Sequence, residues 1–369
     1  MSDSDDLELS PTQNPYFSQR SQRLESLPYP VYFVTGDPKW HALIANPDFV
    51  ADDSLYELCT TGHDIWSAQV FLDLKTRGLD VHLVPHAVPG KICVIPYYYL
   101  TPKDWLFKSY VLACQYDTPS PVLCNQQTVM NHLQVQSKHH HYLPHRPQPS
   151  LKPRQVSRGA RLENLVFKGH SYNLAEPFRS LEFLAALDTV GVRLVMSTEN
   201  AQTAFLDWAD YTQADAMIAV RNNTLYDIAL KPALKLVNAW FAGCPAILGP
   251  EPAYQAIRRS ELDYFEVRTP KEAIAALKQL KANPKLYQAM VENGFQRAHE
   301  HTADQVALLW RNLLAGPIAV GYEHWLRESP WQQQVVRPVL YGWQILAHQQ
   351  QANQYKRKIR YGKRVLDLA

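Results

Sequence analysis

Arg221, Lys231, Lys235 and Asn238 lie in one short stretch of the chain, around "KPALKLVNAWFAGCPAILGPEPAY". Lys231 and Lys235 are four apart and Asn238 is a further turn along, so a helix starting at this point puts all three on one face. Arg221 follows an apolar run that reads as a strand, "ADAMIAV". Beyond the carboxyl ends of parallel strands, helix N-termini offer free N–H groups and a partial positive field. Three added cations make that place suited to a diphosphate, and an amide at Asn238 suits a ribose or sugar hydroxyl. The same spacing also fits the solvated face of an ordinary amphipathic helix. Gly169, flanked by Lys168 and His170, ends the strand-like "ENLVF" and permits close backbone approach to a phosphate, or serves only the turn. "STEN" (197 to 200) follows the next strand and reads as a loop and helix cap, or as a reach toward base or ribose.

Proton transfer needs a base, and His63 and Asp64 in "TTGHDIW" stand at a predicted helix start. An imidazole with a pKa near neutrality can take a proton from a hydroxyl, and a neighbouring carboxylate can orient it. Asp64 is equally placed to cap the helix. Asp117, after "SYVLACQYD", is a second carboxylate candidate. The run His139 to His141 offers no further ligands at metal-binding spacing and reads as surface. Asp3-Ser4-Asp5, the single D-x-D, falls in a polar tail, so no metal is expected.

The elements that must hold these residues alternate between strand and helix. "YPVYFVTGDP" reads as a buried strand stopped by a turn, and "GHDIWSAQVFLDLKTRGLDVHLVPH" as a helix ended by Gly78 and then a strand. "KICVIPYYYL", "SYVLACQYD" and "SPVLCNQQTV" continue the pattern, and residues 139 to 154, with four prolines, read as a linker. Strand and helix then alternate again through "VRLVMST", the helix 232 to 243 and the strand "PAILG". "TPKEAIAALKQLKANP" carries a capping box from Thr269 to Glu272 with Pro270 at its first position. Alternation of this kind implies parallel α/β structure. The predicted order is a loose tail over 1–27, an α/β domain over 28–148, a second over 149–316, and C-terminal helices with a basic end over 317–369.

Bulk composition fits two soluble domains: 369 residues, 46% hydrophobic, 20% charged and a net charge of +2. The basic residues cluster at one terminus without an aromatic–basic module, so nucleic acid is not an expected partner. Five cysteines without C-x-x-C spacing read as reduced core thiols. The acidic start "MSDSDDLELSP" is unlike a leader, and the expected location is cytoplasmic. "KRKIRYGKR" (356–364) is suited to weak contact with an anionic membrane at its inner face, or is a solvated helix end.

"NAWFAGCPAI", "TPKEAIAALKQLKANPKLYQAMVENGFQRAHEHT" and "HYLPHRPQP", in this order and spacing, resemble the C-terminal domain and interdomain segment of GT-B fold glycosyltransferases. The likeness covers residues 140 to 305 well and the N-terminal half only by architecture. It implies two Rossmann-like domains facing a cleft, with the last helices crossing back to the N-terminal domain and accounting for Trp331 and Trp343 by packing. Retaining members carry two glutamates eight apart; here those positions are Leu230 and Asn238, and the lysines match a K-x-x-x-K-L branch. With this resemblance Gly169, Arg221, Lys231, Lys235 and Asn238 are expected at the donor site, while His63 and Asp64, read from their own chemistry, are the expected catalytic pair.

The first expectation is therefore a metal-independent glycosyltransferase moving a sugar from a UDP- or GDP-linked donor to a hydroxyl on a glycan, lipid or small molecule. The alternatives are a non-catalytic nucleotide- or glycan-binding protein of the same fold, and a GT-B-type epimerase or phosphorylase.

Overall fold

The computed structural model describes residues 22–46, 49, 53–200 and 203–368. Residues 1–21, which hold most of the expected tail and the Asp3-Ser4-Asp5 triplet, lie outside the described residues. Leu24 and Leu27, expected in the tail, instead pack on the N-terminal core, with the Leu24 N–H bonded to the Arg77 carbonyl at 3.1 Å.

The first domain is one parallel sheet in the order β2-β1-β3-β4-β5-β6, made of β1 (Val31–Val34), β2 (Val81–Val84), β3 (Ile92–Pro96), β4 (Tyr110–Cys114), β5 (Gln126–Val129) and β6 (His140–Tyr142). The central strands β3 and β4 are buried at every position, as strands covered on both faces must be. β6 lies inside the stretch expected as a linker. Its register on β5, Gln127 with His140 through Val129 with Tyr142, makes it an edge strand. The helix expected over 62 to 78 is two helices, Gly62–Trp66 and Ala68–Lys75. They part at Ser67, whose hydroxyl donates to the Val34 carbonyl at 2.8 Å and pulls the backbone out of helical geometry.

The second domain repeats the plan in the order β11-β10-β9-β7-β8: β7 (Asn164–Phe167), β8 (Arg193–Met196), β9 (Ala216–Ala219), β10 (Ala246–Leu248) and β11 (Phe265–Glu266). On one face lies the helix Leu234–Ala242, buried continuously from Leu236 to Ala242. It stops at Gly243, φ +69°, where a Cβ would stand 2.9 Å from the Phe295 ring. On the other face Leu181–Thr189 and Pro270–Ala282 pack, the latter with its capping box formed as the sequence predicts.

The boundary expected at 316 falls earlier. Val306, Ala307, Trp310 and Leu313 of the helix Ala303–Leu313 belong to the N-terminal core, so the crossing back occurs just after residue 301. Trp310 and Trp325 do that packing; Trp331 and Trp343, expected there, are 65% and 69% exposed. The last helix, Arg337–Tyr361, begins on the N-terminal domain, where the Leu106 N–H donates to Tyr341 Oη at 3.3 Å. It ends on the other domain, where the Leu225 N–H meets the Lys363 carbonyl at 2.8 Å and the Val365 N–H meets the Asn223 carbonyl at 3.0 Å.

Candidate active site

Parallel sheets deliver their loops to one end, and here the two carboxyl-terminal edges enclose a cavity of about 310 Å³. The N-terminal domain contributes Trp66, Tyr116 and Asp117 after β4, Met130 after β5, and His145. The C-terminal domain contributes Lys168 after β7, Trp208, Arg221 after β9, and Lys231, Lys235 and Asn238. Four of the five expected donor residues therefore line one cavity, and Gly169 adjoins it through Lys235.

Lys235 stands in the first turn of the helix Leu234–Ala242. Its ammonium donates to the Lys168 carbonyl and lies 5.0 Å from the Phe167 ring centre. No carboxylate comes within ion-pair distance of it among the described residues. Burial, with Arg221 and Lys168 close by, outweighs the attraction of Glu251 and lowers its pKa to about 7. An ammonium in that state has a place ready for an anion. Burial also lowers the Lys168 pKa, against the pull of Asp207; its Nζ bonds the Asp207 carbonyl at 2.8 Å.

The other cations are already paired. Lys231 precedes the helix rather than riding on its face, since Ala233 is the cap residue. Its Nζ is 2.8 Å from Asp117 Oδ2 of the other domain and 3.2 Å from Asp227. Burial pulls the Lys231 pKa down, but the two carboxylates more than offset it and the net shift is upward. Asp117 is the mirror case: burial raises it and Lys231 brings it below its ordinary value. Arg221 is bound to Glu251 at 2.5 Å, and the second Glu251 oxygen has no hydrogen-bond partner among the described residues.

Asn238 is likewise occupied. Its Oδ1 accepts from the Gln148 N–H at 2.9 Å and its Nδ2 donates to Gln148 Oε1 at 3.3 Å, so the amide fastens the helix to the interdomain segment. Gly169 has φ +142°, and a Cβ there would sit 3.0 Å from Lys235 Nζ. Gly169→Ala is expected to cost on the order of 1–3 kcal/mol of stability, from backbone strain, and to displace the Lys235 ammonium. Chemical denaturation and nucleotide titration of the variant measure the two effects separately.

The expected catalytic pair separates. Asp64 is 1% exposed and acts as a cap within the capping box of Thr61. Its oxygens accept from Lys39 Nζ at 2.6 Å, Trp40 Nε1 at 2.9 Å, Thr61 Oγ1 at 2.7 Å and the N–H groups of Thr60 and Thr61 at 3.1 and 2.8 Å. Four of these five bonds fall on Oδ2, and the buried carboxylate does not line the cavity, so the expectation of a catalytic Asp64 is corrected on this ground. His63 is different: its Nδ1 is 3.0 Å from the hydroxyl of Tyr116, a cavity residue, and burial lowers its pKa, favouring neutral imidazole at pH 7. His140 and His141 sit on β6 and contact Gln134 and Gln126 separately. No group of three or more His, Cys, Asp or Glu side chains placed to hold a metal ion occurs among the described residues.

Sequence reading missed Phe205, Trp208 and Tyr211, which line one side of the cavity. Spaced three apart in "FLDWADY", they leave a helical signal that is easily taken for core packing. The Trp208 indole N–H is buried and has no hydrogen-bond partner among the described residues. Flat faces with a free donor suit a base or a sugar ring.

No protein-family model matches the chain, and no curated protein matches it in sequence. Solved structures match it in shape. Sucrose-phosphate synthase from Thermosynechococcus elongatus is 11% identical with a TM-score of 0.52, over 79% of this chain and 100% of that one. HepE of Anabaena, solved with UDP and glucose, is 9% identical with a TM-score of 0.46, over 79% and 100%. The chain of the GtfA/B complex is 11% identical with a TM-score of 0.43, and the match covers 64% of this chain but only 58% of that one. At these identities the likeness to the synthase is one of fold: two parallel α/β domains closed on a cleft.

Proposed function

We propose, from the premise that the chain has the GT-B fold, that it is a glycosyltransferase that takes its sugar from a nucleoside-diphosphate donor. The observation that carries the proposal is the Lys235 ammonium, without a carboxylate partner among the described residues, at the carboxyl-terminal ends of β7 and β9 in the interdomain cavity. A diphosphate placed there meets Lys235, Lys168 and the backbone of the Gly169 turn, and side chains rather than a metal neutralise the leaving group. Phe205 and Trp208 offer faces to the base or the sugar. An acceptor hydroxyl enters from the N-terminal side, its oxygen bonds the anomeric carbon, and the bond from that carbon to the diphosphate breaks. The acceptor proton passes through the Tyr116 hydroxyl to the neutral His63 imidazole at 3.0 Å.

A second reading, a nucleotide- or glycan-binding protein without turnover, is favoured by one feature. At the positions where the resemblance places two acids stand the buried Leu230 and an Asn238 already bonded to Gln148. Thermal shift with UDP, GDP and their sugars separates the readings when followed by transfer assays over a broad acceptor panel. A midpoint that rises with ligand concentration, together with transfer, is the expected result. A shift without hydrolysis or transfer selects the second reading in its nucleotide-binding form, and no shift with any nucleotide overturns both the transferase and the nucleotide-binding protein.

A further inference from the structure

The C-terminal helix Arg337–Tyr361 buries a single side chain, Tyr341, although it carries many apolar ones. Trp331, Val335, Val339, Trp343 and Leu346 follow one another at intervals of four, four, four and three residues, and all five are exposed. Those intervals, crossing the wider turn Gln332–Val336, keep them on one face. The same spacing continues through Gln350 and Asn353 to Arg357, so the exposed face passes from apolar to cationic. From Ser329 to Arg364 the chain contains no Asp or Glu but has Arg337, Lys356, Arg357, Lys358, Arg360, Lys363 and Arg364. Lys356, Arg357 and Arg360 make no ion pair among the described residues.

We propose that this face is the surface by which the protein docks, lying in plane, on a bilayer containing anionic lipid. Indole rings favour the boundary between headgroups and acyl chains, and the exposed Val335, Val339 and Leu346 beside them can sink a few ångströms deep there. Charge complementarity selects the occupant. A second copy on the same face would set cations against an acid-free surface, whereas anionic headgroups supply the missing counter-charge. No helix among the described residues is long and apolar enough to cross a membrane.

The test is co-sedimentation of the full chain with vesicles of phosphatidylcholine alone and of phosphatidylcholine with about one third phosphatidylglycerol. Binding to the anionic vesicles, with a blue shift of tryptophan emission, is expected. Trp331→Gln with Trp343→Gln should lower partitioning at least about tenfold, by removing the interfacial anchors. Lys356→Gln, Arg357→Gln and Arg360→Gln together should lower it on the order of 100-fold, from about 1 kcal/mol per cation. All five side chains are exposed, and an unchanged thermal midpoint certifies the fold. Wild type absent from anionic vesicles, or variants that partition equally with it, overturns the proposal. A concentration-dependent dimer without lipid that the tryptophan substitutions abolish also overturns it and assigns the face to a second copy. None of these measurements requires a nucleotide, so they stand or fall apart from the cavity.

Discussion

Lys235→Met is expected to remove nucleotide binding and at the same time to raise the thermal midpoint at pH 6. The two effects share one cause. The folded pKa of about 7 lies below the ordinary lysine value, so the protein holds a charge that its surroundings disfavour. Between about pH 7 and the unfolded value near 10.4 the unfolded chain binds the extra proton, and stability from this group rises with pH. Below pH 7 the cost is present in full, on the order of 4–5 kcal/mol, and methionine fills a similar volume without it. The stabilisation should therefore be largest at pH 6 and shrink toward pH 9. Binding has the opposite dependence: a bound diphosphate restores the ammonium, so affinity in the wild type should fall up to about tenfold per pH unit above 7. Calorimetric titrations in buffers of different ionisation enthalpy should register uptake of close to one proton at pH 8. An affinity flat from pH 7 to 9, or a methionine variant that still binds UDP and GDP as the wild type does, would remove the diphosphate from this place.

Asp215→Ala should give the largest loss of stability in the molecule. The carboxylate is 0% exposed and stands just before β9, away from the cavity. It accepts from Arg158 at 2.7 and 2.8 Å, from Arg154 at 2.9 Å, and from the N–H groups of Glu163 and Asn164, both at 2.9 Å. Burial raises its pKa, but Arg158 and the two N–H groups more than offset this and the net shift is downward. Removal leaves two guanidinium groups buried without their shared anion, a cost of about 3–5 kcal/mol. Asp215→Asn, which keeps part of the hydrogen bonding, should lose less. A depressed carboxylate stabilises the fold above its unfolded pKa and stops doing so as pH falls through its folded value, so the wild type should weaken on acidification and the alanine variant less steeply. Scanning calorimetry from pH 7 to pH 3 measures both. A loss below about 1 kcal/mol at pH 7 would show that the arginines find other partners.

The sequence carries the alternation of strands and helices because apolar runs such as "ICVIP" and "AMIA" are buried on both faces and need little context. β6 and β11 escaped because "HHY" and "FE" have no alternation of their own; a neighbouring strand decides them. The apolar stripe of Ala303–Leu313 fits either core, so its sequence does not say where the chain crosses back. Within the cavity the residue types were legible and their pairings were not. Lys231 and Asp117 are 114 positions apart, and only the closed fold spends one charge on the other while leaving Lys235 without a carboxylate among the described residues. The capping role of Asp64, one of the two readings its sequence allows, is a local pattern from Thr61 to Asp64.

The C-terminal helix that starts on one domain and hooks onto residues 222–225 of the other has a mechanical consequence. The domains are also joined through the segment around Gln148 and again after residue 301. Any movement that carries the two domains apart at the hook must first break the backbone hydrogen bonds of Lys363 and Val365, and one that parts them at the cavity must first break the Lys231–Asp117 ion pair.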